Sequence, residues 1–254
     1  MAYGGKRTTW TLRSIKEYLL STYDVCLSTI HYALRQHALH LKRSAHRQRS
    51  PDPEYRKKVR NIEQCKAQVL KEADKFAMVA MDELSLHRLP TLARTYAARG
   101  SDPPKQGQGT TDCTRTIFGA VNYFTGQCHF RQTYNGAAQY LVCFLKQLLE
   151  EYPTRHLFLV MDNWPVHKGE KAQVFFQTHK ERLTIVPLPT YAPFLNPQEK
   201  VWKTLRSHVS HNHPYTLMSE VLERFTQWSY YIEHSPSVIL QLIKSFKEPI
   251  KCEQ

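Results

Sequence analysis

The sequence predicts an α/β fold: a mixed β-sheet flanked by helices, preceded by a small all-α helix-turn-helix segment. Three observations predict it. Two apolar runs of strand length, FAMVAMDE (76–83) and HLFLVMDN (156–163), each end in acid. Between them TIFGAVNYF (116–124) and QCHFRQTY (127–134) flank Thr125-Gly126, a two-residue hairpin signal, so part of the sheet is antiparallel. Helical patterns alternate with the later strands, which makes the rest parallel and covers the sheet.

From the N-terminus, Leu12, Ile15 and Leu19 recur at helical spacing in TLRSIKEYLLST. After the short link YDVCL, Ser28 is placed to cap a second helix, STIHYALRQHAL. Ile30, Ala33 and Leu34 would turn inward, with Ser28, His31, Tyr32, Arg35 and Gln36 near the other face. Two short helices with a basic second one fit a DNA-reading helix-turn-helix, and equally any small helical hairpin. The basic arm LKRSAHRQRSPDP favours DNA: Lys42, Arg43, Arg47 and Arg49 suit phosphates or a minor groove, and Pro51 and Pro53 break the chain. A polar helix over 54–74 then leads into the first strand. The expected division is 1–50, a partial helix-turn-helix segment with its arm; 51–74, a linker helix; 75–235, the α/β domain; and 236–254, a helical tail.

Within the α/β domain, GAAQYLVCFLKQLLEEY (136–152) is an amphipathic helix, KGEKAQVFFQTHKE (168–181) a second, and LTIVPLP (183–189) a short strand. Asn196-Pro197 opens a helix that runs to about Val209. Residues 216–247 read as helical.

Composition narrows the partners. The 254 residues carry a formal charge of +13, which points to a polyanion. The excess is concentrated: residues 1–60 hold 13 Lys/Arg against 4 Asp/Glu. No apolar stretch approaches the ~20 residues of a membrane helix, and MAYGGKRTTW lacks the apolar core of a signal peptide. Nucleic acid is therefore preferred over a membrane surface. The six cysteines form no Cys-x-x-Cys pair and are read as reduced thiols of a cytoplasmic protein.

The chemistry lies in three acids. A carboxylate at the end of a buried strand is costly unless something pairs it, and Asp82 and Asp162 both stand at such ends. Neighbouring strands would bring them together, and Glu199, in the first turn of the helix after Asn196, would be the third ligand of a divalent-cation site. Blander readings compete. Asp82 and Glu83 could be surface acids, Asp162-Asn163 could start a turn, and Glu199 could serve Asn196 in a capping box with Pro197 at the first helical position. Lys200, Lys203 and Arg206 form a basic stripe on the same helix, either a DNA-backbone surface or a solvated face.

The motifs resemble a known family. VMDNWPVHKG followed by Leu188, Pro189, Tyr191, Pro193, Leu195, Asn196, Pro197, Glu199 and Trp202 is similar to the DDE endonuclease domain of mariner-like insertion-sequence transposases. Thirty-six residues lie between Asp162 and Glu199, close to the family spacing. MDELSLHRLPTLARTYAARG resembles the family's first acidic motif, with Tyr96 where Trp is frequent. The resemblance implies an RNase H-like fold, a catalytic and metal-binding triad of Asp82, Asp162 and Glu199, and two Mg²⁺ ions with Mn²⁺ as substitute. Asn163, His167 and Asn196 would be supporting residues. It further implies transposon-end cleavage and strand transfer into target DNA at TA, and double-stranded DNA (terminal inverted repeats and target) as partner. A homodimer or larger assembly on DNA and a bacterial, nucleoid-associated location are also implied. Family members carry two helix-turn-helix units, so a separately encoded N-terminal half is a further expected partner. An RNase H-like nuclease without strand transfer, or an inactive DNA-binding remnant of a mobile element, are the alternatives.

Overall fold

The computed structural model describes residues 11–20, 22–39, 50–96, 102, 113–162, 169–248 and 250. It divides into two compact units, Met1–Arg47 and Gln48–Gln254.

The first unit holds α1 (Leu12–Leu19) and α2 (Leu27–Gln36). Thr11 caps α1 in a reciprocal pair with Ser14, which satisfies two orphan amides. The cap of α2 is Cys26, whose Sγ accepts the Thr29 N–H, and Ser28 lies inside the first turn instead of capping it. Ile30 is buried and Leu34 half-buried, but Ala33, expected inward, is exposed. A two-helix unit covers a narrow stripe of each helix, and Ala33 falls outside it.

The second unit is built on a five-stranded sheet of order β3-β2-β1-β4-β5. Its strands are β1 (Phe76–His87), β2 (Thr114–Asn122), β3 (Cys128–Thr133), β4 (His156–Met161) and β5 (Leu183–Pro187). β1–β2 and β2–β3 are antiparallel, while β1–β4 and β4–β5 are parallel. This is the mixed RNase H-like sheet. β1 does not end at its acid: its alternation continues through Leu84 and Leu86, buried, and it pairs with β2 as far as His87↔Thr114. Nor is the β2–β3 turn two residues long, since Tyr123–Gln127 lie between the strands. The Asn122 side chain draws the chain round by accepting the Phe124 and Thr125 amides, and Gly126 takes a φ of 75°.

Helices cover both faces. Odd positions of β1 (Ala77, Val79, Met81) pack with α4 (Ala138–Glu151) and α5 (Glu170–Thr178). Even positions (Met78, Ala80, Leu84, Leu86) pack with α3 (Tyr55–Lys71), α6 (Gln198–Leu205), α7 (Met218–Glu233) and α8 (Pro236–Leu242). α3 contributes Val59, Ile62, Cys65 and Val69 to that core, and the C-terminal segment contributes Ile239 and Ile243. α6 loosens into a π-helical turn, Arg206–Ser210, before His211 bridges Thr91. No described helix is long and apolar enough to cross a membrane.

Candidate active site

The parallel register of β1 and β4 runs to Ala80↔Val160. Continued by two residues, it sets Asp82 beside Asp162 on the face that carries Ala80 and Val160. Adjacent strands lie about 4.8 Å apart, so the two acids are neighbours by topology. β5 then leads into the Leu188–Ala192 loop, and Pro193–Leu195 forms a single 3₁₀ turn before α6. Asp82, Asp162 and Glu199 all line one cleft of about 300 Å³, with Leu188, Pro189, Thr190, Tyr191, Ala192, Pro193 and Asn196.

The three acids differ in setting. Asp82 is half-buried in mid-strand and faces Gly119 across the β1–β2 ladder. The Trp202 indole Nε1–H donates to its Oδ2 at 3.1 Å. Asp162 follows the last residue of β4 and is exposed, and Glu199 is half-buried. Burial, then the Glu83, Glu199 and Asp162 carboxylates, push the Asp82 carboxyl up to about 8. A cation would relieve that burden, and carboxylate oxygens are the donors Mg²⁺ and Mn²⁺ prefer, so the set fits a divalent metal. Among the described residues no three His, Cys, Asp or Glu side chains converge closely enough to hold an ion as they stand.

The capping-box reading of Glu199 does not hold. The Asn196 N–H that Glu199 would have capped donates to the Pro193 carbonyl instead. Asn196, buried, performs two other tasks: its Oδ1 accepts the Gln198 N–H at 3.0 Å and its Nδ2 donates to the Met81 carbonyl at 3.2 Å. It thereby ties the start of α6 to the residue before Asp82.

The cleft's outer wall is held from a part of the chain where sequence reading saw only a linker. Asp52 Oδ2 accepts the Thr190 N–H at 2.9 Å and the Lys58 ammonium at 2.7 Å, and Ser50 Oγ donates to the Thr190 carbonyl. The Lys58 hydrogen bond, then that of Thr190, holds the Asp52 carboxyl well below the usual range.

Of the other residues singled out in the sequence, Arg35 and Gln36 are exposed on α2. Lys203 is exposed and Lys200 half-buried on α6, and Arg206, half-buried, opens the π-helical turn that follows. Lys42, Arg43, Arg47, Arg49, Asn163 and His167 lie outside the described residues. Asp52 carried no recognisable sequence signal. Gly119 did: a glycine inside a strand marks a close approach, here by the Trp202 ring.

Residues 77–221 match the family model described as DDE superfamily endonuclease. The chain belongs to the DDE superfamily endonucleases. A curated relative of this DDE chain is the insertion element IS630 uncharacterized 39 kDa protein of Shigella sonnei, 22% identical over 225 residues. The alignment covers 87% of the chain but 64% of that protein, so the chain spans less than two thirds of its relative's length. Solved structures share the DDE fold. The Mos1 transposase paired-end complex with left transposon end superposes with a TM-score of 0.62 at 13% identity, over 94% of this chain and 75% of that one. The Mos1 mariner paired end complex with Mn gives 0.61 at 13%, over 96% and 76%. The Mos1 strand transfer complex gives 0.56 at 14%, over 96% and 75%. The resemblance to mariner-like transposases read from the Leu188–Trp202 motif agrees with these relatives.

Proposed function

We propose that this chain is a metal-dependent DNA transposase that cleaves transposon ends and joins them to target DNA. The observation that carries the reading is the meeting of Asp82, Asp162 and Glu199 on one cleft, within a chain of the DDE family. The three carboxylates would hold two Mg²⁺ or Mn²⁺ ions, which supply Lewis acidity and a water or hydroxyl of lowered pKa. In cleavage, a water oxygen bonds to phosphorus and the 3′ oxygen leaves as a hydroxyl. In transfer, that hydroxyl attacks a target phosphate and the target's own 3′ oxygen leaves.

The protein's own groups bind and orient. Asp82, packed in mid-strand, fixes one side of the site. Asp162 and Glu199 approach from a strand end and a helix start. Lys200 and Lys203 on α6 and Arg206 on the turn after it offer cationic contacts to phosphates, and Arg35 and Gln36 a reading face on α2. The basic arm with Lys42, Arg43, Arg47 and Arg49 would track the backbone, and Asn163 and His167 would flank the nucleophile. The segments 1–50, 51–74, 75–235 and 236–254 would act as DNA-binding segment, linker helix, catalytic domain and tail. Insertion at TA, a dimer or larger assembly on DNA and a nucleoid-associated site of action complete the proposal. Relatives support it: structures of Mos1 have been solved as a paired-end complex with Mn and as a strand transfer complex.

Plasmid nicking in Mg²⁺ or Mn²⁺, wild type against Asp162→Ala, tests the core of this reading. Nicking by the wild type, abolished in the variant while DNA binding is kept, is the expected result. Equal nicking by both proteins would overturn the triad. Scoring joined products alongside nicks separates strand transfer from simple hydrolysis.

A further inference from the structure

We infer that Trp202 is a positioning residue for the metal site: its indole N–H fixes the Asp82 carboxylate, and Gly119 exists to let it do so. The inference rests on the proposed role of Asp82 as a metal ligand.

Three independent features converge on this contact. The indole nitrogen lies 3.1 Å from Asp82 Oδ2, within hydrogen-bond range. The Trp202 side chain is fully buried, wedged against Phe130 on β3, with ring centroids 5.9 Å apart, so it cannot turn away. The residue facing Asp82 across the ladder is Gly119, and a Cβ there would come within 2.3 Å of Trp202 Cη2 and 2.7 Å of Cζ2. Any other residue at 119 would push the ring off the carboxylate. The same helix is tied to β1 one residue earlier, through Asn196 and the Met81 carbonyl.

An indole N–H is a donor with no acceptor capacity. It occupies one lobe of Oδ2, sets the plane of the carboxylate and leaves Oδ1 for another partner. Outer groups of this kind orient metal ligands, and removing one lowers metal affinity about 10–100-fold. A buried Trp that served packing alone would need no such alignment, and a phenyl ring could replace it at a cost in stability without touching metal affinity.

The test is Mn²⁺ binding to the full chain, with no DNA present, by electron paramagnetic resonance of the free ion. Wild type, Trp202→Phe and Asp82→Asn are compared, with thermal melting in chelator as the measure of packing. The expected result is saturable binding by wild type, loss in Asp82→Asn and at least a ~10-fold weaker Kd in Trp202→Phe. Loss in Asp82→Asn with Trp202→Phe within about twofold of wild type, a gap too small for an outer-shell ligand, overturns the role of Trp202 and leaves the metal site standing. Wild-type affinity in Asp82→Asn, or no saturable binding by wild type, overturns the metal-site reading and this inference with it. If Trp202→Phe does not fold, replacing Trp202 by 3-benzothienylalanine keeps the ring's shape, deletes the N–H and is judged by the same thresholds.

Discussion

The two walls of the acidic cleft are made differently. The inner wall is β1 against α6: Asp82 sits in mid-strand, Trp202 and Asn196 are buried, and hydrogen bonds tie α6 and its start to the acid and to the residue before it. The outer wall is the end of β4 and the Leu188–Ala192 loop. There Asp162 is exposed, Tyr191 is 76% exposed and holds a φ of 55°, and the loop is moored from Asp52 and Ser50. A left-handed backbone at a non-glycine residue costs about 1–2 kcal/mol, which the mooring offsets. The contrast teaches that one carboxylate is preset by the core while its neighbour stands exposed at a strand end, beside a loop held by side-chain hydrogen bonds.

The strongest way to break this contrast is to neutralise each aspartate in turn. Asp82→Asn and Asp162→Asn should both lower metal-dependent nicking by more than ~100-fold, the upper range for outer-shell ligands. They should part company in stability. The Asp82 carboxyl, pushed up to about 8 from the ordinary 3.8, keeps its proton in the folded chain after the unfolded chain has released it. Its contribution to stability therefore falls as pH rises from about 4 to about 8. Metal-free Asp82→Asn should melt higher than wild type at pH 8 and equal to it at pH 4, whereas Asp162→Asn, which leaves the buried Asp82 carboxyl in place, should still lose stability as the pH rises. A pH-independent difference for Asp82→Asn would remove the claim that this acid is preset by burial.

Gly119→Ala probes the inner wall alone. The new methyl meets Trp202 and also Gln198 Nε2 at 2.6 Å, and overpacking of a filled core costs about 1–3 kcal/mol. The midpoint of urea unfolding should drop accordingly, and an unchanged midpoint would mean that the ring has room to move. Asp52→Ala probes the outer wall and should have the smallest effect. The Asp52 carboxyl is held below its ordinary value, so it adds stability above about pH 4 that vanishes as the pH falls further. Melting curves of variant and wild type should diverge at neutral pH and merge in acid. Divergence that persists in acid would assign the effect to something other than this carboxylate.

The elements of both walls were legible in the sequence. Apolar runs ending in acid located β1 and β4, and the Leu188–Trp202 motif located α6, because buried strands and helix starts leave local patterns. What stayed hidden was non-local. β1 runs on past Asp82, since Leu84 and Leu86 keep the alternation that the acid pair appeared to close. The β2–β3 turn is longer than Thr125-Gly126 suggested because Asn122 takes the turn amides. Cys26 caps α2 where Ser28 looked the better candidate. Asp52 reaches a loop 138 residues away, and nothing in a linker of prolines and charges announces such a partner.

The central place of β1 has a consequence for synthesis. Its antiparallel neighbour β2 follows within the next stretch of chain, but its parallel neighbour β4 is complete only at Met161, 74 residues after β1 ends at His87. At about 5–20 residues per second, one edge of the strand that bears Asp82 waits about 4–15 s on the ribosome before it finds its mate. For that interval a strand with a long apolar run stands half-paired, a template for wrong partners, and the yield of folded protein should depend on what shields it.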